Sequence, residues 1–379
     1  MDERKLLYIT SWDFTHPEAD GVCKKIIGQI KAFRKAGFYV DYTFIRNGNT
    51  YILRDDKEIC LGSNHHLSQY GALRLISIYV KKHNDYRNVY IRYSSSDVFF
   101  VKIVKTLHEN KAVSIVEIPT YPYDNECRSL RDKVVLVIDK LFRMKISNYI
   151  TSFVAYTDAP KIFGVFEFIR IINGVDMNSI KPITSKKNEN DVINLIGVAV
   201  FTPSHGYDRL IRSLGEYYIN GGKRNIVFHI VGFSHVSNNY NELIEQYNMQ
   251  KHVIMHGKMY GEELDCLYNH MDIGVCTLAL FRNAPGMISS ELKSREYAAK
   301  GLPMISGGPI DIFLQNPYKY SCVLGDDESL IDINKIVEFY DYVYYENRSA
   351  VIAKIRKYAE NHCSMDVSVK TIVDLFLSR

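Results

Sequence analysis

The sequence contains no Cys-x-x-Cys pair and no Cys/His run with metal-ligand spacing. Its seven cysteines, Cys23, Cys60, Cys127, Cys266, Cys276, Cys322 and Cys363, are odd in number and widely scattered. That usage argues against a disulfide framework and a zinc site, and fits a reducing cytoplasm. Long apolar runs are missing too: the longest candidate, around residues 146–157, is short and rich in Ser, Asn and Thr, so no membrane span is expected. Met1-Asp2-Glu3-Arg4-Lys5 leads straight into apolar residues without a signal-peptide core or cleavage site, so export is not expected. No Gly-x-Gly-x-x-Gly follows the first apolar run, which weighs against a dinucleotide oxidoreductase. Excess charge is slight, a formal +4, too mild for a dedicated nucleic-acid binder. Solenoid repeats and low-complexity tracts are also lacking.

What is present is the balance of a soluble globular chain, with 46% hydrophobic and 24% charged residues. A length of 379 residues exceeds what one core usually holds and predicts two domains. The small charge excess is unevenly divided. Residues 1–180 carry about 26 basic and about 20 acidic side chains, roughly +6, which leaves about −2 for the remainder.

Apolar runs bounded by turn signals alternate with segments of helical period, the pattern of βαβ units around parallel sheets. Residues 6–10 predict a buried strand. Val22, Ile26, Ile27, Ile30 and Phe33 then line one side of a helix that Gly37 closes. Further strands are predicted at 38–45, 88–93, 113–119, 149–157 and 165–172. At Asn173-Gly174-Val175-Asp176 the pattern breaks into a polar stretch with a Lys-Lys-Asn run, read as a linker. A second α/β series follows, with strands at 192–201, 226–231, 252–256, 273–278 and 302–306 and helices at 206–219, 240–249, 261–270 and 290–300. The expected fold class is therefore α/β, with two Rossmann-like domains facing across a cleft. The expected division is 1–173 for a first Rossmann-like domain, 174–190 for the linker, 191–360 for a second, and 361–379 for a C-terminal helix packing back on the first domain.

The most informative stretch is Ser289-Ser290-Glu291-Leu292-Lys293-Ser294-Arg295-Glu296-Tyr297, closed by Gly301-Leu302-Pro303. The serines predict an N-cap, Glu291 falls in the first turn, and Gly301 with Pro303 predicts the end. Lys293 and Glu296 share a face near the N-terminal end, a cation for phosphate and a carboxylate for ribose hydroxyls. An ordinary solvated Lys/Glu pair has the same spacing. The turn Phe201-Thr202-Pro203-Ser204-His205-Gly206 is a second candidate, since Gly206 admits close backbone approach and His205 can donate to a phosphate or sugar oxygen. Both candidates follow predicted strands of the same half.

Together, Asn173-Gly174-Val175-Asp176, His205-Gly206-Tyr207-Asp208-Arg209 and Lys293-Ser294-Arg295-Glu296-Tyr297 with Gly301-Leu302-Pro303 resemble the retaining glycosyltransferases of the family 4 type with the GT-B fold. The chain also resembles the branch found in bacterial capsular, exopolysaccharide and O-antigen clusters. Gly21 and Val231-Gly232 fall where that family has its acceptor-side glycine loop and a strand-end glycine.

The resemblance implies that Lys293 contacts the donor diphosphate, that Glu296 holds the ribose, and that His205-Gly206 approaches the diphosphate. It further implies that Gly257 meets the nucleobase and that Arg282 and Arg295 are basic site positions, with Arg282 able to reach the phosphates. A nucleoside-diphosphate sugar is then a substrate, and neither cofactor nor metal is called for. Two departures stand out. Ile288 occupies the first position of the family's Glu-x7-Glu pattern, with Glu291 the nearest carboxylate, and Val198-Ala199-Val200 carries no arginine.

On the acceptor side, Glu117, Tyr121, Tyr123 and Glu126 cluster at a predicted strand end, where rings suit sugar stacking and a carboxylate could orient a hydroxyl. A proline-rigidified loop with packing tyrosines reads equally well. Trp12, His16 and Gly21 are expected nearby. Residues 127–148 interleave Arg128, Arg131, Lys133, Lys140, Arg143 and Lys145 with apolar residues, a basic amphipathic helix able to meet an anionic membrane or simply cover a sheet. The expected protein is a cytoplasmic glycosyltransferase, peripheral at the inner membrane face, taking a nucleotide-sugar donor and a lipid-linked or other glycan acceptor. The alternative is a nucleotide-sugar-binding scaffold without catalysis.

Overall fold

The computed structural model describes residues 4–16, 21–64, 68–124, 129–184, 192–234, 237–283 and 285–378. The chain divides into two compact units, residues 1–172 with 368–379, and residues 173–367.

The first unit runs β1 (Lys5–Ile9), α1 (Gly21–Lys35), β2 (Tyr39–Arg46), β3 (Asn49–Arg54), β4 (Lys57–Ser63), α2 (Ser68–Lys82), β5 (Asn88–Arg92), α3 (Val98–Glu109), β6 (Val113–Ile118), α4 (Leu130–Phe142), β7 (Ser152–Ala155) and β8 (Phe168–Arg170). Its eight-stranded sheet has the order β4-β3-β2-β1-β5-β6-β7-β8. Only the β2-β3 and β3-β4 pairs are antiparallel. The chain reverses direction across the sheet at β1 and β5, so the carboxyl ends of those two strands form its topological switch point. β1 is buried along Leu6, Leu7, Tyr8 and Ile9, as parallel strands covered on both faces must be.

The β3-β4 hairpin is absent from the sequence expectation. Its loop is Asp55-Asp56, at φ 48° and 59°, and Asn47-Gly48, at 48° and 72°, turns β2 into β3, positive φ at both residues being what two-residue hairpin loops require. The strand expected at 165–172 shrinks to three residues, because Phe163 and Gly164, at φ 52° and 78°, turn the chain immediately before it.

The second unit runs β9 (Val192–Ala199), α5 (Tyr207–Ile219), β10 (Asn225–Gly232), α6 (Ser237–Gln246), β11 (Val253–Gly257), α7 (Gly261–Tyr268), β12 (Ile273–Val275), α8 (Leu292–Lys300), β13 (Met304–Ser306), α9 (Asp311–Gln315), β14 (Ser321–Val323), α10 (Ile333–Tyr344) and α11 (Arg348–His362). Its sheet is parallel throughout, in the order β11-β10-β9-β12-β13-β14, with the switch point between β9 and β12. Residues 173–184 do not hang free as a linker. Val175 N donates to Cys363 O at 2.9 Å and Ile183 N to Lys300 O at 2.9 Å, which ties the segment into this unit.

A last helix, α12 (Met365–Leu377), starts in the second unit and ends in the first, where Phe376 packs 6.3 Å from Phe33 and 5.9 Å from Phe38 between ring centroids.

Candidate functional site

In the second unit His205, Gly206, Glu291 and Lys293 gather where β9 and β12 end. A short 3-10 turn, Pro203–His205, leaves β9, and Gly206 caps it at φ 64°. The turn lies along the segment after β12: Leu278 N donates to His205 O and Ala279 N to Ser204 O, each at 3.0 Å. A Cβ on Gly206 would meet Ala279 Cβ at 2.8 Å and Ala279 N at 2.9 Å. Glycine is therefore required there twice, by its dihedral and by space.

His205 is a neutral donor. Thr202 N donates to its Nδ1 at 3.0 Å, which leaves the proton on Nε2. Burial first, and the Lys293 charge second, push the imidazole down to about 2, so it does not titrate in the physiological range.

α8 begins two residues later than expected, and neither Ser289 nor Ser290 caps it. Ser289 pairs with Ile310 in an isolated bridge, and the Ser290 carbonyl accepts from Asn173 Nδ2 at 2.6 Å. Glu291 occupies the N-cap position, yet its carboxylate turns to β12's end, accepting from Thr277 N at 3.1 and 3.2 Å and from Thr277 Oγ1 at 2.6 Å. Lys293 Nζ lies 3.7 Å from that carboxylate and donates to Tyr207 Oη at 3.4 Å, with its side chain only 11% exposed. Burial lowers the ammonium's pKa, and Glu291 partly offsets this. Glu296 is half-buried on the same helix and close enough to Lys293 to act in the same direction as Glu291.

Arg282 and Arg295 take different positions from those the resemblance suggested. Arg282 Nη1 and Nη2 meet Asp208 at 2.8 and 2.9 Å, Nε and Nη2 meet Glu328 at 2.7 Å each, and Nη1 also reaches Pro203 O at 3.0 Å. The guanidinium clamps three loops together around the site and is already opposed by two carboxylates. Arg295 lies fully inside, ion-paired to buried Asp311 and donating to the Asn173 carbonyl at 3.3 Å and the Glu291 carbonyl at 3.1 Å. It is a positioning residue, because it fixes the backbone of Glu291 and Asn173 from beneath. Gly257 ends β11 at φ 71°, with open space where a Cβ would stand.

Sequence reasoning missed Arg209, buried and donating to the carbonyls of Leu278, Gly325 and Ser329, and also Asp311, Thr277 and Glu328. Asp208 and Arg209 follow His205-Gly206 after a single residue, Tyr207. Two charged residues inside the buried run 206–211 were the available signal, since charges buried together need internal partners.

In the first unit the expected acceptor residues separate. Glu117 has no exposed surface. Its Oε2 accepts from Tyr90 Oη at 2.7 Å and Gln29 Nε2 at 2.9 Å, and its Oε1 pairs with Arg92, with Lys25 Nζ 3.5 Å away. The structure thus makes it an internal hub and not a surface facing an acceptor. Burial acts to raise its pKa, but Arg92 and Lys25 outweigh burial and hold the carboxyl at about 2. A depressed folded-state pKa gives stability that is present above the unfolded value of 4.5 and lost as pH falls toward 2. The unfolding free energy of the parent in urea is expected to drop steeply between pH 4.5 and pH 2, by up to about 3 kcal/mol from this group, and the slope should flatten in Glu117→Gln. Equal slopes would rule out the hub.

Tyr121 packs edge-on to Phe163, with centroids 6.0 Å apart. Tyr123 donates to Asp139 Oδ2 at 2.6 Å and accepts from Arg143 Nη1 at 3.2 Å, so its hydroxyl serves the fold. Gly21 is the exposed first residue of α1. Glu126, Cys127 and Arg128 lie outside the described residues.

The two units, each a Rossmann-like sheet with helices, define a GT-B architecture whose second unit concentrates the candidate site. Residues 178–291 match the family model described as glycosyl transferases group 1, a span that holds His205, Gly206, Gly257, Arg282 and Glu291 and stops just before Lys293. The search of curated proteins found no significant match. Similar solved structures include sucrose-phosphate synthase from Thermosynechococcus elongatus, at 13% identity, 99% and 98% coverage of the two chains and a TM-score of 0.63. A glycosyltransferase from Rickettsia africae aligns at 12% identity, 100% and 99% coverage and TM-score 0.65. Anabaena HepE, solved in complex with UDP and glucose, aligns at 12%, 99% and 100%, and 0.58. At such identities these likenesses show a shared fold.

Proposed function

We propose that this protein is a retaining, metal-independent glycosyltransferase of the family 4 type. It would move a sugar from a nucleoside-diphosphate donor to a glycan acceptor, lipid-linked, in cell-surface polysaccharide synthesis at the cytoplasmic face of the membrane. The supporting observation is the deeply set Lys293 ammonium at the β9/β12 switch point, held by Glu291 and Tyr207 beside a neutral His205. A leaving diphosphate needs fixed donors aimed at growing charge. Lys293 supplies a cation, His205 Nε2 an uncharged donor, and the Gly206 turn close backbone access. Glu296 would hold the ribose. The acceptor oxygen bonds to the anomeric carbon as the carbon–phosphate-oxygen bond breaks on the same face, and its proton passes to a donor phosphate oxygen. No protein nucleophile enters, and the nucleoside diphosphate departs.

Ile288, where the family carries its first glutamate, favours a second reading, a nucleotide-sugar-binding scaffold without catalysis. Incubating purified protein with labelled nucleotide sugars and membrane extract separates them. Transfer to lipid, or slow donor hydrolysis, supports the enzyme, and binding with neither supports the scaffold.

Membrane contact draws support from α4. Ser129 and Asp132 form a reciprocal capping box that starts the helix, and Asp139 on its inner side accepts from Tyr93, Ser96 and Tyr123. The outward side presents Leu130 (83% exposed), Val134, Val137 and Leu141, flanked by exposed Arg131, Lys133 and Lys140. An apolar stripe bordered by basic residues suits an anionic lipid surface, each cation adding about 1 kcal/mol there. No helix among the described residues is long and apolar enough to cross a membrane. Sedimentation with phosphatidylglycerol vesicles is expected to weaken at least tenfold in the Val137→Asp, Leu141→Asp double variant. Unchanged sedimentation would remove the membrane from the proposal.

A further inference from the structure

The carboxyl ends of β1 and β5, the switch point of the first sheet, carry a cluster that the proposed chemistry has not used. β1 continues into Ser11 and Trp12, and β5 into Tyr93, Ser94 and Ser95. Ser11 Oγ and Ser94 Oγ are 3.1 Å apart, which closes the gap between the two strand ends. From the first turn of α2, Gln69 Nε2 donates to Ser94 Oγ at 2.9 Å and to Ser95 Oγ at 2.6 Å. Among the described residues its side-chain carbonyl accepts no bond. Ser94 is exposed, Ser11 and Gln69 are half-buried, and the Trp12 side chain, 39% exposed, stands beside Ser11 in the chain.

The cluster rests on a rigid base. Trp12 N donates to Thr10 Oγ1 at 3.1 Å, and Trp12 O accepts from Ile45 N of β2 at 2.9 Å. On the other side Tyr93 N donates to Glu117 O at 2.9 Å, and Ser96 N donates to buried Asp139 at 2.7 Å. Each hydroxyl can both donate and accept, the amide can do the same, and none of these groups carries charge. A phosphate would seek cations, whereas neutral donor-acceptor groups, with a partly exposed tryptophan one residue along the chain from Ser11, match the hydroxyls and apolar ring faces of a sugar.

We propose that Ser11, Gln69, Ser94 and Trp12 form the subsite that holds the terminal sugar of the acceptor, recognised as an uncharged glycosyl unit. This rests on the glycosyltransferase reading and names a part of it that Glu117 and Tyr123, both engaged internally, do not supply.

Trp12 is the only tryptophan of the chain, so its fluorescence reports on this place alone. Full-length protein is titrated with methyl glycosides of glucose, galactose, mannose and N-acetylglucosamine and with their α-linked disaccharides, and separately with inorganic phosphate and pyrophosphate. The expected result is a saturable emission change with at least one sugar, none with the phosphates, and at least threefold weaker binding in Gln69→Ala and in Ser94→Ala, both melting as the parent does. A response to the phosphates, no saturable response to any sugar, or parental sugar affinity in both variants overturns the subsite. Donor hydrolysis, assayed apart, separates this from the wider reading. Hydrolysis without a sugar response removes the subsite and leaves the enzyme, while a sugar response in a protein that turns over no donor keeps the subsite and removes the enzyme.

Discussion

Arg295→Ala is expected to lower the unfolding free energy of the second unit by about 3–5 kcal/mol, the usual cost of breaking a buried ion pair from one side. The change leaves the Asp311 carboxylate, 2% exposed, without its cation. It also strips donors from the carbonyls of Asn173 and Glu291. Neither effect can be relieved by water without opening the interior, because the Arg295 side chain has no exposed surface. Replacing both partners with apolar residues, Arg295→Met with Asp311→Leu, is expected to cost much less than either single change, since no unpaired charge remains buried. Urea denaturation of the three variants decides the matter. A single variant within about 1 kcal/mol of the parent would show that the pair is not what fixes the start of α8.

Lys293→Ala is the second large effect, expected in catalysis and not in stability. Glu291 keeps its three bonds to Thr277 when the lysine is gone, so the loop is retained while the cation is lost. On the proposed function Lys293 faces the developing diphosphate, and removing its charge is expected to cut kcat/KM at least a hundredfold, about 2.7 kcal/mol, with most of the loss in kcat. Glu296→Ala, which on the proposed function loses a ribose contact in both ground and transition states, is expected to cost at least tenfold, carried mainly by KM. The pH dependence follows from the same geometry. Burial lowers the Lys293 pKa in the empty site, and a bound diphosphate raises it again, so donor binding takes up protons and affinity falls as pH rises through the free-protein value. In Lys293→Ala that alkaline limb should vanish. Its persistence, or kinetics equal to the parent, would dissociate Lys293 from the donor.

The βαβ alternation was legible because a parallel strand covered on both faces is a short apolar block, and α8 was legible because Gly301 and Pro303 mark its end. Its start was misread: local capping chemistry favours serine, but Glu291 is turned away by Thr277, a residue on another strand end. The same physics hid the supporting cast of the site. Arg282 finds Glu328 at a separation of 46 residues and Asp208 at 74, and no periodicity records a bond between loops. Glu117 offered a clue that went unused. A carboxylate within Val113–Ile118, otherwise apolar apart from Ser114, has water on neither face and must find internal cations. Of the residues named from the resemblance, His205, Gly206, Glu291 and Lys293 lie close together, Arg282 and Arg295 are engaged by carboxylates, and the aromatic loop chosen for the acceptor is consumed by its own packing.

The return of α12 to the first unit sets the order in which the protein can be finished as it leaves the ribosome. Residues 1–172 emerge early, yet the ring that packs against Phe33 and Phe38 belongs to Phe376, more than 300 residues downstream of both. The domain that begins first must therefore wait, with part of its apolar surface open, until the second has been made. A pulse of protease during synthesis should find the first unit cleavable until the last helix emerges, which reverses the usual expectation that N-terminal domains are completed before their successors.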